Sequence, residues 1–278
     1  MRILWGKYVL LVCAAILLSH ISSSAQPKRS DFMGIKLRTE VQAYSDEIEK
    51  KTGKKIIGIF SPFEKKEEEG VLGVSFINEE DGIAYVGVKD NLEGQTKKLE
   101  AVIAHELLHL RQRVRGFPVF LWSPTVKTSK GFAQDVEQSN VNDLLSLIEH
   151  QVFRDEMEKL GLDKFLDLSK EAIQGAKKLK GTEDGQAESI NFCRAILEFQ
   201  NPKDLETYRK VFIENGWQTA IKIGEAMAEI IKQQKITTPA QTQAVFSRCL
   251  IKLYNTPRAF KFRRNLNIKQ YRQMIIST

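Results

Sequence analysis

His105, Glu106, Leu107, Leu108 and His109 form an H-E-x-x-H pattern inside a stretch with helical apolar spacing. A helix turns about 100° per residue, so side chains four apart stack on one face. Two imidazoles placed this way can grip a single metal ion, and Glu106 beside them can reach a water on that ion. The pattern therefore demands a helix, expected over residues 96–115. Leu99, Val102, Ile103, Leu107 and Leu110 are its apolar positions, and Gly116 and Pro118 are its stop signals.

The first 25 residues stand apart from the rest. Arg2 and Lys7 precede an apolar run over 8–18, and Ser23 and Ala25 give small residues at the −3 and −1 positions of a cleavage site. That is the layout of a secretory signal peptide cleaved after Ala25, which implies a secreted or periplasmic protein. The run is short of the ~20 apolar residues a membrane span needs, so an uncleaved anchor is the alternative. Lipid attachment at Cys13 is disfavoured by Val12 before it. Cleavage removes two positive charges from a formal net charge of +7 and leaves two cysteines, Cys193 and Cys249. In an oxidising compartment they form a disulfide, or else they pack as buried thiols, and the sequence leaves both open.

A chain of 278 residues with 42% hydrophobic and 28% charged residues can bury a substantial core. After a short linker, residues 36–51 have helical spacing in Val41, Tyr44 and Ile48. Three β-rich stretches follow, at 55–60, 71–76 and 83–88. Residues 117–130 hold turn residues and aromatics and read as a loop near the metal helix. From about residue 140 the chain reads as helices, at 142–160, 186–199, 202–215, 217–233, 239–254 and 257–274. Asn201-Pro202, Thr238-Pro239 and Thr256-Pro257 mark three of the starts. The expected class is α+β: a signal peptide at 1–25, a catalytic domain at 26–180 with a small mixed sheet and metal-binding helices, and a helical subdomain at 181–278.

Catalytic zinc takes three protein ligands and leaves a fourth position for water. Beyond His105 and His109, the chain after residue 25 has one more histidine, His150, next to Glu149. Neighbouring helix positions diverge by about 100°, so only one of the two can aim at a given metal. With Val141 at zero, Leu144, Leu145, Ile148 and Val152 cluster on one face; Glu149 falls at its margin near ~80°, and His150 opposite near ~180°. A carboxylate at the edge of a buried face requires a partner, which favours Glu149 as third ligand and leaves His150 as the alternative. Asn142 shares the Glu149 face and can orient a ligand or cap the helix.

With these residues the chain resembles the zincins, the H-E-x-x-H metallopeptidases, and within them the gluzincin arrangement, in which a glutamate on a later helix completes the site. The resemblance implies a zincin-like catalytic domain with His105, His109 and Glu149 as zinc ligands and Glu106 as general base. Gln112 and Arg115 stand where the metzincin extension has glycine and histidine, which excludes that branch. Phe153 stands where gluzincins carry an aspartate that orients a zinc histidine, so that partner comes from elsewhere. The likeness covers about residues 80–160.

A site of this kind implies an exported Zn2+-dependent metallopeptidase acting on a peptide or protein substrate. Zinc lowers the pKa of its water toward ~7, and Glu106 accepts the proton and returns it to the leaving amine. His150, Tyr85 and Arg113 are candidates to stabilise the oxyanion, and the strand at 83–88 is a candidate to pair with an extended peptide. Two other classes compete: a non-catalytic binding protein on the same fold, and a zinc amidase acting on cell-wall peptides. Lys261, Arg263, Arg264, Lys269 and Arg272 form a basic cluster, but a charge run of this kind is usually a solvated face, and nucleic-acid binding is set aside.

Overall fold

Val41 and Ile48 lie two helical turns apart, and both are buried on helix α1 (Thr39–Thr52). Gly53 ends that helix in the left-handed conformation, with φ of 72°. The computed structural model describes residues 31–61, 71–78, 82–121, 132–179, 185–255, 260–265 and 271–276. The expected signal peptide lies outside the described residues.

The chain divides into two units, residues 1–110 and 111–278. In the first, strands β1 (Ile57–Ser61), β2 (Gly73–Ile77) and β3 (Ala84–Lys89) form a mixed sheet in the order β1-β3-β2. β3 is parallel to β1, with Gly58 opposite Val86, and antiparallel to β2, with Gly73 opposite Val88. Central position explains its burial: Ala84 to Val88 are all buried.

Helix α2 (Thr96–Val114) follows directly and carries the H-E-x-x-H residues. The sequence reads it as amphipathic. The structure instead buries it nearly all round, since of residues 101–110 only His105 keeps partial exposure. Arg38, just before α1, donates to Glu100 on α2 from its backbone N–H and its guanidinium, which ties the two helices together.

The second unit begins with the last turn of α2. Strand β4 (Pro118–Leu121) forms where the sequence suggests only a loop, because its partner comes much later in the chain. Then come helices α3 (Phe132–Leu160), α4 (Ser169–Lys178), α5 (Gln186–Glu198), α6 (Pro202–Glu214), α7 (Gln218–Lys232) and α8 (Pro239–Tyr254). Asn201 caps α6 and Thr238 caps α8, the latter in a reciprocal box with Gln241, each followed by proline in the first turn.

The helix expected at 257–274 is overturned. Strands β5 (Phe260–Asn265) and β6 (Tyr271–Ile276) pair antiparallel and join β4 in the order β4-β5-β6. Phe260-Lys261-Phe262-Arg263 alternates apolar and charged residues, a strand period that outweighs the helix-start signal at Pro257.

α5 sits at the centre of the helices. One side packs Ile190, Cys193 and Leu197 against α3, α7 and α8. The other packs Phe192 and Ala195 against α4, α6 and the start of α7. The expected division at 180/181 falls inside this unit, where helices from both sides share each core. Cys193 and Cys249 are buried thiols of the first core, and burial raises the pKa of both. The architecture is α+β, and among the described residues no helix is long and apolar enough to cross a membrane.

Candidate metal centre

His105 and His109 are one turn apart on α2, and their Nε2 atoms stand 3.2 Å apart with the rings edge-on. Two nitrogens bound ~2.0–2.1 Å from one tetrahedral ion stand ~3.3 Å apart, so the pair is spaced to share one metal ion. His109 is buried among the leucines of α2, and His105 is half-exposed.

Glu106 is only 6% exposed, and the backbone of β2 lies against it. A Cβ built on Gly73 would meet Val102 Cγ1 at 2.6 Å and both Cγ and Oε1 of Glu106 at 3.0 Å. Only glycine lets the strand approach this closely. β2 is an edge strand, whereas β3 is paired on both sides. Residues 83–88, the strand expected to receive a peptide, therefore have no open edge; among the described residues, β2 has an edge with no strand paired to it. Tyr85 stacks on Phe76 at 5.0 Å. Side chains alternate along a strand, so Phe76 and its partner Tyr85 occupy the sheet face opposite the one Gly73 turns to Glu106. That removes Tyr85 from the oxyanion candidates.

One ligand nitrogen of each of His105, His109 and His150 lies within 4.8 Å of the others, close enough to hold one metal ion. Glu149, the ligand the sequence favours, is not in this group. Its carboxyl is buried, and burial pushes its pKa up to about 7 while the charges of Arg113 and His150 pull it down. Gln112 donates to the Glu149 backbone carbonyl at 3.2 Å, and Arg111 pairs with Glu156, so the last turn of α2 is fastened to α3.

The helical wheel places His150 on the side of α3 away from its apolar face. In the fold α5 packs on that apolar face through Ile190, Cys193 and Leu197, and Glu198 at its end reaches His150: Nδ1 lies 2.7 Å from Glu198 Oε1. Nε2 of the same ring lies 3.4 Å from the Ser146 hydroxyl. Glu198 is 48 positions from His150 in sequence, and no local pattern links them. Comparison with protein-family models, with curated protein sequences and with solved structures finds no match to this chain.

Proposed function

We propose that this chain is a zinc-dependent hydrolase that cleaves peptide bonds, with His105, His109 and His150 holding the metal and Glu106 acting as general base. The observation that carries the proposal is the 3.2 Å spacing of the His105 and His109 Nε2 atoms, with His150 as the third donor of the group. Three neutral imidazoles are a donor set suited to zinc. The gluzincin arrangement gives way in this reading to a three-histidine one on a zincin-like domain.

Zinc, when bound, supplies Lewis-acid polarisation of the carbonyl and a water of lowered pKa. The remaining chemistry belongs to the protein. Glu106 sits one residue from His105 in a largely dry setting and takes the proton of the attacking water, then delivers it to the leaving amine. β2 borders Glu106, and its outer edge offers main-chain hydrogen-bonding groups to an extended peptide. Peptide substrates are proposed on that ground, and export on the N-terminal segment.

Elemental analysis of purified residues 26–278, after gel filtration without added zinc, is the first test. About one zinc per chain is expected. Glu106→Gln should keep the metal and lose ~10²- to 10⁴-fold in cleavage of a fluorogenic peptide mixture. A chain that takes up no zinc, or a Glu106→Gln variant as active as the parent, would overturn the proposal.

A further inference from the structure

We infer that Glu198 is the positioning residue of the metal centre: it accepts the Nδ1 proton of His150, fixes the ring in the tautomer whose Nε2 carries the lone pair, and so makes α5 part of the site. The inference rests on the zinc reading above and adds to it a residue and a role for the helical half of the chain.

The geometry is confined to α3 and α5. His150 Nδ1 and Glu198 Oε1 are 2.7 Å apart, with both side chains partly shielded, at 21% and 31% exposure. A carboxylate only accepts, so the proton in this contact sits on Nδ1. Nε2 then carries the lone pair, which agrees with a Ser146 hydroxyl 3.4 Å away as its donor. An imidazole that gives one N–H to a carboxylate has its other nitrogen oriented and made more basic, which is what a metal ligand needs.

Glu198 Oε2 lies 4.0 Å from Arg194 Nε, one turn earlier on α5. Arg154, one turn after His150 on α3, donates to the backbone carbonyl of Leu197. His150 and Arg154 thus read two consecutive residues at the end of α5, one through a side chain and one through a carbonyl. A rotation of either helix would break both contacts.

The test is ¹⁵N NMR of the His150 ring in the metal-free chain at mildly alkaline pH, together with zinc affinity by chelator competition. In the parent protein Nδ1 should carry the proton that faces Glu198. Glu198→Ala should shift the ring toward the Nε2–H tautomer and weaken zinc ~10- to 100-fold. Glu198→Gln keeps an acceptor oxygen and should retain the Nδ1–H tautomer and most of the affinity. A parent ring without a proton on Nδ1, or a Glu198→Ala variant with tautomer and affinity unchanged, would overturn the inference. Should Glu198→Ala fail to fold, the parent spectrum and Glu198→Gln still decide it. A parent chain with the Nδ1–H tautomer but no zinc uptake would sink the hydrolase reading and, with it, Glu198 as a metal-site residue, while leaving the hydrogen bond itself established.

Discussion

Gly73 and Glu106 touch with no room between them: a Cβ on the glycine would stand 3.0 Å from the carboxylate Oε1 and 2.6 Å from the neighbouring Val102 Cγ1. The edge of the sheet and the general-base candidate are therefore set by one backbone position. Gly73→Ala should destabilise the protein by ~1–3 kcal/mol through overpacking. Displacing Glu106 by part of an ångström should also lower peptide cleavage by ~10- to 100-fold with zinc retained. Urea unfolding, metal content and kcat on one fluorogenic peptide check this. A Gly73→Ala variant with native stability and activity would contradict the close contact.

The proposed site, with His150 rather than Glu149 as third ligand, separates two variants. His150→Ala should lower zinc affinity beyond the ~10- to 100-fold range of an outer-shell loss. Glu149→Gln should keep about one zinc per chain, because its carboxyl lies outside the group of close ligand atoms. Chelator competition on both proteins is the measurement, and the reverse ranking would restore Glu149 as the ligand.

Arg38 and Glu100 give the first unit a pH-dependent tie. Burial raises the pKa of the Glu100 carboxyl, but the hydrogen bonds and charge of Arg38 outweigh it and hold the group below its ordinary value. A carboxylate depressed in the folded state contributes stability above its unfolded pKa and loses that contribution as pH falls through the folded value. Glu100→Gln should therefore cost ~1 kcal/mol at neutral pH, a modest figure because the pair is partly exposed. The difference from the parent should shrink below about pH 4. Urea midpoints across pH test the sign; a gap that widens in acid would refute it.

Gly224 reverses an ordinary rule. Glycine to alanine inside a helix gains ~1 kcal/mol from propensity alone. Here a Cβ would meet the Ser189 carbonyl oxygen at 2.9 Å and the Cys193 nitrogen at 3.0 Å, both backbone atoms of α5. Backbone yields less than the end of a flexible side chain, so Gly224→Ala should destabilise by ~1–3 kcal/mol despite its better propensity. A raised melting temperature would show that α5 and α7 have slack.

Much of the local structure was legible. The stops and caps at Gly53, Asn201-Pro202 and Thr238-Pro239 sit where the helices begin and end, because capping depends on a few adjacent residues. The period of two in β5 lies in the sequence, but the proline at a plausible helix start gives a competing signal. β4 was invisible locally: Val119 pairs with Arg263, which the chain reaches only after six helices. α4 was not among the expected helices.

The sequence by itself determined the pair of histidines and Glu106, because a helix of fixed pitch converts spacing of four into a shared face wherever it is packed. Only the tertiary structure decided the rest of the site. Which side of α3 is covered, and by what, depends on the placement of α5, and α5 brought Glu198 to His150 rather than leaving that ring to solvent. Residues 48 positions apart meet through packing of helices, and packing is a property of whole faces that no five-residue pattern encodes.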